Sequence, residues 1–588
     1  MLRQTLTEDR SDYHCETITL GTCPNTLTCD KSLSFDKANN AKFDVYLIGD
    51  LRDYGKSSNI DAAKLLGKIE HEESLTSLYK EISGSFVLVI VNRESKRISV
   101  VNDHLASIPL YYTETEKHRH ISTSLPHLIN ETEGDRSYTV SSQAIFHYIY
   151  FHCIPSPITI YDEVFKLKPS ELVVFDQEQT NHLGPQYKPE FSSKEISTGM
   201  HNACLSEIEK AVNLSLPNTS VAAFLSGGLD SSTVAGMLKK ISGRAKTFSI
   251  GFNEQGYDET EFAEISARHF GTEHVTSYLE PEYISENFAL VASGFDEPFG
   301  NSSALAAFFC ATKAKQSNIE TLLAGDGGDE FFAGNSRYAK QKWFYPYEKS
   351  PEVIKSILRA VLDNSLIKKL PLVKKASSYI HQADNPLPDR LQTYNFLHRF
   401  SPTEVFTAAF LKDVDRELPL KQLRERYTEI NSESATDKML YMDWKFTLAD
   451  NDLIKVRKMC QLAGIEVKFP LTEKELVDFS CTIPAEVKLP GQRLREFFKK
   501  STENFLAPET LTKPKHGFGL PFGRWMRTNQ ELVEITQKSF AGIKSRNIFR
   551  PEFLDKALRM QSENHAAYYG ELIWVISVLE IWLQSREQ

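Results

Sequence analysis

This sequence has no long apolar run, no excess of basic residues and no dense set of cysteines across its 588 residues. Its most apolar helical stretch, Leu572 to Leu579, is too short to cross a bilayer, and its start lacks the basic-then-apolar order of a signal peptide. A cytoplasmic protein without membrane insertion is therefore expected. The formal net charge of −10 argues against general affinity for nucleic acid. The local basic group of Lys368, Lys369, Lys374 and Lys375 reads as a solvated helix face, with a grip on an acidic partner as the alternative. The eight cysteines, at 15, 23, 29, 153, 204, 310, 460 and 481, form no Cys-x-x-Cys pair. Neither a zinc site nor a structural disulfide is expected from them, as suits a reducing compartment. No internal repeat or low-complexity tract is present. Length, 41% hydrophobic content and 25% charge fit a two-domain soluble enzyme.

The chain's most informative glycine turn lacks the Gly-Lys-Ser/Thr that would follow the glycines of a loop favouring γ-phosphate transfer. The run Phe224-Leu-Ser-Gly-Gly-Leu-Asp-Ser-Ser232 stands instead. An apolar strand there enters a tight turn whose bare N–H groups, with the hydroxyls of Ser226 and Ser231, can hold a pyrophosphate at a helix N-terminus. Asp230 within such an anion nest would be repelled by phosphate unless a cation lay between, so it reads as a Mg²⁺ ligand. About a hundred residues later, Thr321-Leu-Leu-Ala-Gly-Asp-Gly-Gly-Asp-Glu330 repeats the design, placing Asp326, Asp329 and Glu330 at a second strand end. In an open α/β sheet both turns can face one crevice, where Asp230 and Asp329 would share the metal.

Residues 1–185 show short β runs such as Asp44 to Ile48, Gly84 to Val91 and Arg97 to Val101, predicting a β or α+β domain. Residues 186–200 are polar and proline-marked, a linker. From 201 to 588, strands alternate with helices as a doubly wound parallel sheet requires. The segment from about 335 to 440 reads as helical and long for its position.

Together with Thr247 to Phe252, Asp296 to Ala304, Asp452 to Met459, Gly464 to Leu471, Lys513-Pro-Lys-His-Gly-Phe-Gly-Leu-Pro521 and Glu571 to Trp582, these motifs resemble the asparagine synthetase family in order and spacing. The likeness covers nearly everything after residue 140. It is nearest to lasso-peptide macrolactam synthetases or long bacterial asparagine synthetase B homologues. The resemblance implies an α/β protein: an N-terminal Ntn-hydrolase-like α+β sandwich, then a parallel-sheet ATP-pyrophosphatase domain. It assigns Leu225, Ser226, Gly227, Gly228, Asp230, Ser231, Ile250 and Gly325 to ATP, and Asp230 and Asp329 to Mg²⁺. It also places Lys515 at the phosphates and Asp326, with Asn451 in the second carboxylate's place, at the amine. Glu466 and Lys468 fall in a stretch that reads equally as core edge or as substrate binding.

The resemblance fails where the first half should do chemistry. Family glutaminases use a cysteine just after the initiator Met, whose own amine serves as base; here Leu2 follows Met1. The glutamine-binding stretches have no counterpart, and the expected Asn-Gly-Glu turn reads Ile48-Gly49-Asp50. The first domain is thus expected to serve structure or docking. The resemblance then implies carboxylate adenylation by ATP followed by amine attack. The favoured substrate is a lasso-type precursor peptide closed into a macrolactam, with a leader-processing protein as partner. Asparagine formation with ammonia or glutamine is the alternative. A silent scaffold and a tRNA-modifying enzyme are weighed against it: the intact motifs oppose the first, the lack of basic surface the second.

Overall fold

This computed structural model describes residues 12–587 except 21–22, 70–73, 116–117, 135, 177–178, 193–195, 363–370, 394, 515–518 and 564–565. Leu2, Lys368, Lys369 and Lys515 lie outside the described residues, as do the side chains of Lys374 and Lys375.

The alternating apolar runs of the first half become β1 (Tyr13–Leu20), β2 (Cys23–Asp30), β3 (Phe35–Asn39), β4 (Phe43–Asp53), β5 (Ile82–Asn92), β6 (Arg97–Asn102), β7 (Tyr111–Glu114), β8 (Arg119–Ser122), β9 (Val164–Lys166), β10 (Glu171–Phe175) and β11 (Thr180–Pro185). They form two sheets, ordered β1-β2-β8-β7-β9 and β11-β10-β6-β5-β4-β3. Ile18, Leu27 and Tyr112 from the first meet Ile48, Val87 and Val173 from the second in one sandwich core. The period of two sends Leu47 and Leu88, paired across β4 and β5, to the opposite face. That face is buried too, in a core shared with α1 (Met200–Leu214) and the sheet of the second half. Burial on both faces is why β5 reads as an almost unbroken apolar run.

The second sheet is β12 (Val221–Phe224), β13 (Lys246–Gly251), β14 (Glu273–Tyr278), β15 (Thr321–Leu323) and β16 (Glu466–Lys468), ordered β14-β13-β12-β15-β16. Every pairing in it is parallel. Helices α2 (Leu229–Ser242), α3 (Thr260–Phe270) and α4 (Ser303–Gln316) make the crossovers. The strand order reverses between β12 and β15, so a crevice opens beyond their carboxyl ends. The chain is therefore an α/β protein with an Ntn-like sandwich followed by an ATP-pyrophosphatase-type sheet.

The expected helical segment after residue 335 is present as a series of short helices. Phe344 and Tyr347 pack with Ile380 and Ala383 in a small core of their own, whereas Trp343 stays exposed.

Buried polar contacts fasten the two halves. Lys166 on β9 donates to Glu297 at 2.8 Å and to the Ile154 carbonyl at 2.8 Å. Lys474 donates to the carbonyls of Tyr79 and Ile82, each at 2.9 Å. Tyr148 donates to the Val575 carbonyl at 2.7 Å within α8 (Ala566–Arg586), the C-terminal helix. Removing one member of a buried ion pair strands the other. Lys166→Met should therefore lower stability by about 3 kcal/mol, seen as a lower urea midpoint, while Lys37→Met on the exposed Lys37–Glu16 pair should change it little.

Candidate active site

The crevice holds a cavity of about 520 Å³ walled by both glycine turns, by β13 and by α3, α4 and α6 (Leu453–Leu462). Leu225, Ser226, Asp230, Ser231, Ile250, Gly325, Asp326 and Asp329 all line it. In the first turn the Ser226 and Ser231 hydroxyls are 2.9 Å apart, and the Ser226 N–H donates to Ser231 Oγ at 3.1 Å. Gly228 is the N-cap of α2, and no side chain caps that end, leaving its N–H groups to the cavity. Gly227 does not line the cavity. Its φ is +70°, and a Cβ there would fall 2.3 Å from the Phe262 carbonyl carbon, so its job is to let the turn pack on α3.

The second turn leads into α5 (Gly328–Phe332), which carries Asp329 and Glu330 in its first turn. A Cβ on Gly328 would lie 1.8 Å from Asp230 Oδ1, so glycine is what lets the two turns close together. Between Asp230 and Asp329 lies Arg495, at the start of α7 (Glu496–Thr502). Its guanidinium grips both Asp230 oxygens, one at 2.5 Å, and reaches Asp329 at 3.3 Å. The two carboxylates assigned to a metal thus converge on one cationic position, which the guanidinium fills. Two carboxylates are donors a divalent ion can use, but among the described residues no third acid, histidine or cysteine joins them in a metal-holding group.

Asp326 stands deeper in the crevice. Burial pushes its carboxyl up to about 7; Lys455 pulls it down, and Asp452 and Asp230 push it further up. Glu330 is raised well above the usual range by burial and then by Asp329. Asn451 is not brought into the cavity: its side chain accepts from Asn301 at 2.8 Å. The carboxylate beside Asp326 is Asp452, ion-paired to Lys455 at 2.7 Å, and both line the cavity.

Sequence reasoning missed Arg495, Asp452 and Lys455 as site residues, and also Lys513. Lys513 donates to the Ser226 carbonyl at 3.0 Å and to Glu259 at 2.9 Å, fastening itself to the first glycine turn. A usable signal existed for one pair, since an acid and a lysine at i and i+3 share a helix face. Glu466 and Lys468 lie away from this crevice. Lys468 bonds Asp50 of the sandwich at 3.0 Å.

Sequence comparison agrees with this geometry. The asparagine synthase family model matches residues 204–584, well over half of the chain. The chain belongs to the asparagine synthase family. A glutamine amidotransferase domain model matches residues 56–187, within the sandwich. Asparagine synthetase [glutamine-hydrolyzing] 1 of Bacillus subtilis (strain 168) is 24% identical over 546 residues, covering 90% of this chain and 81% of that protein. Asparagine synthetase [glutamine-hydrolyzing] 3 of the same organism is 25% identical over 317 residues, covering 50% and 44%. The amidase chry2 of Gibberella zeae is 21% identical over 349 residues, covering 52% and 49%. Family membership carries ATP-dependent amidation of the asparagine synthetase type.

Asp326 gives a stability signature. A carboxyl raised in the folded state stabilises fully below its unfolded value of 3.8, and that contribution is lost as pH rises through about 7. Asp326→Asn should therefore melt above wild type on the alkaline side of 7, with the gap closing as pH falls toward 3.8, by calorimetry across a pH series.

Proposed function

We propose that the chain is an AMP-forming amide ligase that closes a macrolactam on a lasso-type precursor peptide, without hydrolysing glutamine. The observation that carries this reading is the charge of the crevice. Among the described residues, the cations at its wall are already engaged by its acids: Lys455 by Asp452, Arg495 by Asp230 and Asp329, and Lys513 by Glu259. A free amino acid presents an α-carboxylate that needs a cation of its own. A residue inside a peptide brings no α-carboxylate of its own to the reacting centre, and Asp326 can receive the proton of the peptide's N-terminal amine. The sandwich half supports the second clause. The described lining of the cavity beside Ile48-Gly49-Asp50 includes no thiol, and Cys15 is exposed on β1.

In this mechanism a substrate carboxylate oxygen attacks the α-phosphorus of ATP and the bond to the β-phosphate bridging oxygen breaks, releasing pyrophosphate. Ser226, Ser231 and the N–H groups at Gly228 hold that leaving group, and Leu225, Ile250 and Gly325 flank the nucleotide. A Mg²⁺ ion held by Asp230 and Asp329 would neutralise its charge. Lys515 is assigned to the phosphates and the oxyanion. The amine then attacks the acyl-adenylate carbonyl, Asp326 in its ionised form takes the amine proton, and AMP leaves. Asp452 and Lys455 set the charge at Asp326, while Asn451 positions Asn301. The partners follow as the peptide and a protein that processes its leader.

Similarity to the two Bacillus subtilis asparagine synthetases favours a second reading, asparagine from aspartate with ammonia or glutamine as nitrogen source. Mass spectrometry separates the two. Incubation of the full chain with ATP, Mg²⁺ and a precursor peptide bearing an acidic side chain and a free N-terminus should yield a product one water lighter, together with AMP. Asparagine from aspartate and ammonium, with the peptide unchanged, would establish the second reading instead. In either case Asp230→Ala should abolish pyrophosphate release. Product formation should rise with pH through about 7 in wild type, and Asp326→Asn should flatten that rise.

A further inference from the structure

The helix Glu352–Leu362 is packed onto the protein by its charged side. Val353, Ile354, Ile357, Leu358 and Val361 recur at one, three and four residues and so share one face of it. On a surface helix of a globular protein such a stripe turns to the core. Here the five side chains are between 37% and 70% exposed. The opposite face holds the helix down. Arg359 pairs with Asp384 at 2.7 Å and with Glu352 at 2.8 Å, and the Lys355 ammonium lies 5.6 Å from the centre of the Tyr347 ring. Leu362, seven residues after Lys355 and so on its side, packs against the small core of Phe344, Tyr347, Ile380 and Ala383. Tyr347 in turn donates to Asp384 at 2.7 Å, so the helix stands on a fixed base.

Scattered apolar side chains on a surface need no explanation, but these are not scattered. Among the described residues, six of the eleven exposed large apolar side chains fall within residues 343–361: Trp343 and the five on this helix. Such a face is favourably covered wherever apolar cover is offered, and charge decides by what. Over residues 349–383 the sequence carries seven lysines and arginines against two acids, in a chain whose net charge is −10. A second copy of the chain would bring the same positive charge to the same face, which opposes self-pairing. An anionic surface would be attracted. The face is also wholly aliphatic, without the tyrosine, arginine or methionine in which protein interfaces are rich. A single helix with its apolar side outward is a ridge, the form that lies in the plane of a lipid surface with that side in the headgroup boundary. Among the described residues no helix is long and apolar enough to cross a membrane, so contact of this kind stays on one leaflet.

We propose that the outward face of the helix Glu352–Leu362 is a docking surface for an anionic lipid bilayer, entered by Val353, Ile354, Ile357, Leu358 and Val361. One short helix gives reversible attachment, dependent on both anionic lipid and salt. The face contributes nothing to the lining of the ATP crevice, and the docking stands whether the acyl acceptor is a peptide or aspartate.

The test is co-sedimentation of the full chain with vesicles of equal parts phosphatidylcholine and phosphatidylglycerol, and with vesicles of phosphatidylcholine alone. Wild type should bind the mixed vesicles saturably, bind the neutral ones far less, and be released as salt is raised. The double variant Ile354→Asn with Ile357→Asn should bind the mixed vesicles roughly tenfold more weakly or less, while melting no lower than wild type and keeping its ATP binding. Ile357→Trp should show fluorescence quenching by brominated phospholipid beyond that of wild type, which ties the attachment to this face. Failure to bind the mixed vesicles would turn the face over to an acidic protein and overturn the proposal. Equal binding to neutral vesicles, equal binding by the double variant, or no added quenching in Ile357→Trp would overturn it too. A wild-type dimer in sedimentation equilibrium that the double variant loses would assign the face to a second copy instead. A double variant that melts well below wild type would mean that the face is covered within the chain itself, which also sinks the proposal.

Discussion

The grip of Arg495 on Asp230 and Asp329 is the contact on which the crevice depends. Two carboxylates at the ends of neighbouring strands repel each other and repel any phosphate brought to the turns, so their convergence requires a positive charge between them. Arg495 supplies it from a third segment more than a hundred residues further on. Its backbone sits at φ +58°, a left-handed conformation that costs a non-glycine residue of order 1 kcal/mol. The structure accepts that cost to aim the guanidinium. The guanidinium is almost wholly buried, over the face of Phe498. Turn, turn and helix are thereby fixed to one another before any ligand arrives, which is the preorganisation a phosphate site needs.

Much of this was legible in the sequence because glycine and charge leave local marks. The β12 and β15 turns announce themselves by an apolar run ending in glycines and acids, and the parallel sheet follows from the alternation of strand and helix. The sandwich was legible as a class, though not as two sheets with one buried on both faces. That second burial depends on α1 and the parallel sheet covering Leu47 and Leu88, which are far away in sequence. Arg495 was not legible for the same reason: its partners are more than 160 residues away, and no local pattern links them. The helical segment after 335 was right in type. Its aromatics divide between a private core and solvent, which composition does not decide.

The case of Asn451 is different, because the helix around it is irregular. Residues Trp444–Asp452 form a π-helix, and the Leu453 N–H bonds the Leu448 carbonyl five residues back. One extra residue per turn rotates everything after it relative to a regular α-helix. The resemblance puts Asn451 in the second carboxylate's place, whereas in the structure it is Asp452 that lines the crevice. In the structure Asp450 turns into the interface, where its carboxylate accepts from the Ser156 N–H and hydroxyl at 3.2 Å. Asn451 turns to Asn301, and Asp452 reaches the crevice. Three consecutive polar residues thus serve three different places, as side chains spaced around a helix can and those of a strand cannot.

The same rotation governs how the two halves communicate. Because the π-helix sets the phase of α6, it decides that Lys455 faces Asp452 and the crevice while Arg457 lines the cavity beside Gly49 and Asp50. A shift of the helix by a fraction of a turn would change both cavities together. The buried lysines oppose such a shift: Lys445, inside the π-helix, donates to the His104 carbonyl at 3.0 Å, and Lys474 is tied to the Tyr79 and Ile82 carbonyls. These bonds run from the synthetase half to the sandwich backbone and engage no sandwich side chain. A backbone carbonyl is offered by any residue type, so this part of the fastening is indifferent to which side chains the sandwich carries there, whereas Lys166–Glu297 and Arg52–Glu473 tie it through side chains.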